Sequence, residues 1–182
     1  MEDTLVKSLK PVAVLSAAAA SALVLVGCSA GQITQTSSQV AAVDGATAFT
    51  EDGALSVQDV TIVLDENGKA ALKFVATNQD TAMTEHRLVS ADVNGKQVKM
   101  DRANAIAYNC AVVGDSKDGL ERMPQLNNGC TQYVTTAVDN DDFAYGGNVD
   151  VKFTFDTGDV DVTATVSAPN LPAGEVDRDF AR

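Results

Sequence analysis

Tryptophan is absent from this chain, histidine occurs once, and the nine aromatic residues are six Phe and three Tyr in 182 residues. Each scarcity removes a class of function. A Ser-His-Asp hydrolase would have to use His86 as its only base, and no Gly-x-Ser-x-Gly elbow accompanies it. No Gly-rich phosphate cradle follows a strand pattern, and the missing Trp weakens a carbohydrate-binding reading, because sugar faces stack on exposed rings. Positive charge is scarce too, with 13 Lys and Arg against 25 Asp and Glu and a net charge of −12. Nucleic acid is not an expected partner, because binding it requires Lys and Arg to neutralise phosphates. Anionic lipid headgroups would likewise repel such a surface. Neither enzyme activity nor a cofactor is expected.

Long apolar runs are also missing, with one exception. Lys7 and Lys10 precede an Ala-rich apolar run from Val12 to Val26, which is the n-region and h-region order of a secretory signal peptide and is too short to span a bilayer. It ends in Leu25-Val26-Gly27-Cys28, which looks like the lipobox of bacterial lipoproteins. There the cysteine thiol receives a diacylglyceryl group and becomes the first residue. The alternative is an ordinary signal cleaved near Ser29 or Ala30. If Cys28 is acylated, its chains bury methylenes at about 0.8 kcal/mol each, and the lipid rather than charge holds the protein on the membrane.

Residues 1–27 are thus expected to be a signal peptide, leaving 155 residues with 11 basic and 23 acidic side chains, enough for one core. Residues 28–52, rich in Ser, Thr, Gln, Ala and Gly, read as the lipidated end and a tether whose root-mean-square span is about 25–30 Å. Residues 53–168 carry the strand signals. Residues 57–64 alternate with Val60, Ile62 and Leu64 inward, Asn67-Gly68 turns the chain, and 70–77 returns with Leu72, Phe74 and Ala76 on one face. Residues 87–93 and 96–100 form a second hairpin about Asn94-Gly95. Residues 131–137 add a strand, and Val149, Val151, Phe153 and Phe155 alternate with polar residues before a turn and a two-faced return over 160–167. About seven strands with no helical period predict an all-β, immunoglobulin-like or cupredoxin-like β-sandwich. Residues 169–182, with two prolines and several charges, read as a C-terminal tail.

Cys110 and Cys130 are the other two cysteines. Outside the cell such a pair is expected to form a disulfide, worth roughly 3 kcal/mol on the chain-entropy model; ligation of a metal by the two thiolates is the alternative. Asp139, Asp141 and Asp142 cluster in a loop, but without the glycine and distal glutamate of a calcium loop they read as a solvated acidic loop.

Four stretches, Leu55-Ser56-Val57-Gln58-Asp59-Val60, residues 71–78 (ALKFVATN), residues 87–91 (RLVSA) and residues 146–155 (GGNVDVKFTF), resemble the actinobacterial LpqE-type lipoproteins, as does residues 28–33 (CSAGQI). Those are similar to periplasmic copper chaperones of the PCu(A)C type, which have a cupredoxin-like sandwich. The resemblance implies a lipid-anchored protein on the outer face of the cytoplasmic membrane and a place beside the respiratory cytochrome bcc-aa3 assembly. It also raises a copper chaperone and a cell-envelope biogenesis factor as alternatives. The copper chaperones use two His and two Met, soft donors suited to Cu(I). This chain departs from that pattern, leaving Met83, His86 and Met100 as weak candidates and no metal expected. For a protein partner, the expected surface is the Cys110 to Cys130 loop together with residues 139–145, anchored by Phe143, Tyr145, Tyr108 and Tyr133, because aromatic residues on loops are the likeliest interface anchors.

Overall fold

The computed structural model describes residues 45–169, which form ten β-strands and one short helix. The stretch read as a signal peptide, Cys28 and residues 170–182 lie outside the described residues. In chain order the strands are β1 (Ala46–Phe49), β2 (Leu55–Leu64), β3 (Ala70–Asn78), β4 (Leu88–Val93), β5 (Lys96–Gln97), β6 (Lys99–Met100), β7 (Ala111–Asp115), β8 (Thr131–Ala137), β9 (Asn148–Phe155) and β10 (Gly158–Ser167), with α1 (Lys117–Arg122) between β7 and β8.

The all-β expectation holds, and the strands belong to one sheet in the order β5-β4-β9-β10-β2-β3-β7-β8-β6, with β1 added on β2. The first and last strands of that order are neighbours in sequence, separated only by Val98, whose N–H donates to Ala91 O at 2.8 Å. Residues 96–100 therefore cross from the edge of β4 to the edge of β8 and nearly close the sheet on itself. Closure removes the exposed strand edges that invite aggregation.

The strand list is longer than the expected seven at three places. Residues 96–100 split into β5 and β6 at the crossing. β1 lies in the stretch read as tether, so the folded unit starts before residue 53. β7 and α1 lie inside the Cys110 to Cys130 segment, where Val112 and Leu120 are buried. β7 and β8 run parallel, and parallel neighbours require a crossover rather than a hairpin, which is the part α1 and the residues after it play.

The inward alternation is as the sequence predicts for Val60, Ile62, Leu64, Leu72, Phe74, Ala76, Val149, Val151, Phe153 and Phe155, all buried. Val57 differs. Alternation from Val60 backwards places it on the outward face, yet it is fully buried, because a bulge between Gln58 and Thr61 inserts a residue and reverses the phase of the strand. Asp59 makes the bulge at φ 53°, and the absent side chain of Gly45 lets β1 approach it, since a Cβ there would lie 2.6 Å from Asp59 Cα. Lys73 Nζ holds the Asp59 carboxylate at 2.7 Å.

Candidate functional site

The two ends of the sheet have different chemistry. The starts of β2, β4, β7, β8 and β10 and the ends of β3 and β9 share one end, here the first end; the reverse termini make the second.

At the second end a groove of about 770 Å³ opens on the outer face, floored by Val63, Ala71 and Thr135 and walled by α1 on one side and by Tyr145 and Pro169 on another. Its volume is in the range of sites that take ligands or peptide segments. The wall is set by local sequence. Ser116 caps α1, its hydroxyl accepting from the N–H of Gly119, with Asp118 in the first turn and Arg122 in the last, each favourable to the helix dipole. Immediately before the cap, Asp115 is buried; desolvation pushes its carboxyl above the ordinary value, while the N–H of Ser116 at 2.6 Å and the charges of Lys73 and Arg122 pull the other way. Gly119 makes room for that carboxylate, since a Cβ there would lie 2.6 Å from Asp115 Oδ1. Tyr145 is more than half exposed but fixed, because its hydroxyl donates to Leu64 O at 3.1 Å.

The groove's charges are unequally engaged. Asp65 accepts the N–H groups of Asn67 and Lys69 at 2.9 and 2.7 Å, so its carboxylate serves the β2–β3 turn. Lys117 leans on Glu121 at 3.8 Å. Lys69 and Arg122 reach no carboxylate within ion-pair distance among the described residues.

Of the four expected anchors, only Tyr145 lines this groove. Phe143 packs against the core and its N–H donates to Asn140 Oδ1 at 2.9 Å, while Asn140 Nδ2 donates to Gly68 O, so the loop is tied to the β2–β3 turn. Tyr108 is half-buried near Cys110, at the first end. Tyr133 sits in β8 with its hydroxyl accepting from Leu126 N–H at 2.8 Å. The expected single surface is thus divided: α1, the middle of the Cys110 to Cys130 segment, shares the groove with Tyr145, while the two cysteines stand at the opposite end. Sequence reasoning missed Lys117 and Arg122, although the Ser116 cap signal followed by Asp118 was legible.

Cys110 and Cys130 are joined, with Cα atoms 4.7 Å apart, each one residue before the paired Ala111 and Thr131. The bond therefore clasps the mouths of two parallel strands. Near it, Asn78 Nδ2 donates to Thr84 O and Ile106 O, both at 2.7 Å, and pins the loop that carries His86. His86 is buried, with Nε2 3.0 Å from Asp80 Oδ2 and Nδ1 3.5 Å from Asp156 Oδ1. The Asp80 carboxyl is held below its ordinary value, first by the N–H of Ala82 and next by His86.

That arrangement does not fit a Cu(I) site. Both imidazole nitrogens face carboxylates, Met83 is exposed on the loop, and Met100 packs against the core in β6 beside Thr136. Among the described residues no three His, Cys, Asp or Glu side chains converge to hold a metal ion. The acidic loop is partly neutralised, with Asp139 2.7 Å from Lys99 and Asp141 2.9 Å from Lys96. No protein-family model and no curated protein matches this chain.

Proposed function

We propose that this protein is a non-catalytic accessory or assembly factor, anchored through lipid on Cys28 to the outer face of the cytoplasmic membrane, that engages a membrane-protein complex through the groove between α1 and Tyr145. The observation that carries the reading is that groove: a concave surface of about 770 Å³ with an aromatic residue fixed at its rim and two cations without carboxylate partners among the described residues. A tether keeps the domain in the layer where such complexes project, which raises effective concentration so that weak contacts suffice. The LpqE-type resemblance makes the respiratory bcc-aa3 assembly the first partner to examine, with a cell-wall enzyme or glycan as the alternative.

Affinity purification from native membranes, followed by mass spectrometry, tests this reading. The full chain should recover a membrane complex, and Tyr145→Ala or Arg122→Glu should reduce the yield while Tyr108→Ala, at the other end, leaves it unchanged. Equal recovery by all of these removes the groove as the docking surface. A Cys28→Ala chain that still incorporates labelled fatty acid removes the anchor.

A further inference from the structure

Three Asn-Gly pairs stand in the chain, Asn67-Gly68, Asn94-Gly95 and Asn128-Gly129, and the fold gives each a different setting. In such a pair the glycine nitrogen can attack the preceding side-chain amide, because no Cβ hinders its approach. We propose that Asn128 is a site of spontaneous self-modification, converted through a succinimide to aspartate and isoaspartate while the domain stays folded.

The geometry at Asn128 favours each part of that step. Its Oδ1 accepts from the N–H groups of Cys130 and Thr131, both at 3.0 Å. Reaching those two nitrogens folds the side-chain amide back over the Gly129 peptide, the side from which the ring must close. When the Gly129 nitrogen, its proton lost to hydroxide, bonds to Cγ, negative charge passes to Oδ1. The two donors are already aimed there, which is the arrangement that stabilises an oxyanion in acyl transfer. Asn128 Nδ2 makes no hydrogen bond among the described residues, so water can protonate it as the Cγ–Nδ2 bond breaks and ammonia leaves. Gly129 is exposed at φ 69°, its N–H meets no acceptor among the described residues, and nothing lies within 4 Å of where a Cβ would stand. Water then opens the succinimide, at Cγ to give aspartate or at the main-chain carbonyl carbon to give isoaspartate, whose main chain runs through Cβ.

The other two pairs lack this combination. Gly68 N–H donates to Asp65 O at 3.0 Å, so its nitrogen is engaged away from Asn67. Asn94 and Gly95, at φ 50° and 75°, are the central residues of a tight hairpin turn between the paired Val93 and Lys96, and Asn94 N–H is fixed on Asp150 O at 2.9 Å. Closing a ring there would undo the turn. The products at residue 128 differ in consequence. Aspartate keeps both acceptor bonds and adds a negative charge beside Cys130, whereas isoaspartate lengthens the main chain and gives the bonds up, loosening the entrance to β8 next to the disulfide.

The test incubates the full chain, disulfide intact, in mildly alkaline buffer beside a sample in denaturant, and reads aspartate and isoaspartate at residues 67, 94 and 128 by peptide mapping with mass spectrometry. In the folded protein Asn128 should convert roughly tenfold faster than Asn67 and Asn94, the order expected of two donors in water rather than in a closed active site. In denaturant the three should convert at similar rates. Hydrogen exchange at Cys130 and Thr131 should rise in the isoaspartate fraction and stay unchanged in Asn128→Asp. Slower conversion of Asn128 in the folded protein than in denaturant overturns the proposal, because the two N–H groups then restrain the amide instead of activating it. So does faster conversion at Asn67 or Asn94 in the folded protein.

Discussion

Gly114 on β7 lies directly beneath the ring of Phe74 on β3: the two are paired in register, and a Cβ on Gly114 would sit 2.7 Å from Phe74 Cδ1. Phe74 in turn meets Phe153 of β9 edge to face, with ring centroids 5.1 Å apart. One fully buried ring thus joins two opposed parts of the nearly closed sheet, and its position depends on the absence of a side chain on a third strand. Such edge-to-face pairs add about 0.5–1.5 kcal/mol beyond their buried area.

Gly114→Ala should therefore cost about 1–3 kcal/mol, the usual penalty for overpacking a filled core. The thermal midpoint should drop by about 2–4 °C per kcal/mol in a chain of this length. Phe74→Leu combined with Gly114→Ala should cost less than the sum of the single changes, because the smaller side chain relieves the clash. Strict additivity in chemical denaturation would show that the ring does not rest on Gly114.

Non-reduced peptide mapping should recover Cys110 joined to Cys130. Because the bond fastens the entrances of β7 and β8, which pair only after a crossover, its loss should free that segment first. Cys110→Ser with Cys130→Ser should lower stability by about 3 kcal/mol. Hydrogen exchange should rise earliest over residues 111–130. Two free thiols in protein isolated from its host without added reductant would overturn this expectation.

Two carboxylates should shape the pH dependence in opposite directions. The Asp80 value is lowered by Ala82 N–H and His86, so its stabilisation is present above the unfolded value of about 3.9 and is lost as pH falls through the lower folded value. Asp115 is raised by burial, so the native state holds its proton more tightly than the unfolded chain, and stability falls as pH rises through the window between the ordinary and raised values. At neutral pH Asp115→Asn should then melt higher than the parent and Asp80→Asn lower. Both differences should shrink in acid. Thermal unfolding across about pH 3–7 reads the two signs directly.

Copper should not bind tightly. With His86 held between Asp80 and Asp156, and Met83 and Met100 in separate settings, the domain should fail to compete with a strong Cu(I) chelator. Stoichiometric transfer of copper to the purified domain would promote the chaperone alternative.

What the sequence determined by itself was local. Alternation over 70–77 and 149–155 named the inward faces because side chains on a strand point to opposite sides with period two, and that holds whatever the strand pairs with. The pair of cysteines within the strand-bearing part of the chain pointed to the disulfide. Only the tertiary structure decided where the alternation breaks. Val57 is inside because Asp59 makes a bulge against Gly45, a contact between strands that no run of apolar residues records. β1 and β7 were missed for a related reason. Ala46–Phe49 is a short strand without a buried pattern until β2 supplies its partner, and β7 is stable as a parallel neighbour of β8 only when α1 carries the chain across. The groove is the most non-local feature of all. Tyr145 is fixed to Leu64, 81 residues earlier, and lines the same groove as Arg122, over strands β2, β3, β7 and β8 that lie side by side in the sheet though far apart in the chain. Pairings over such separations follow from the global order of strands, which the spacing of residues along the chain does not encode.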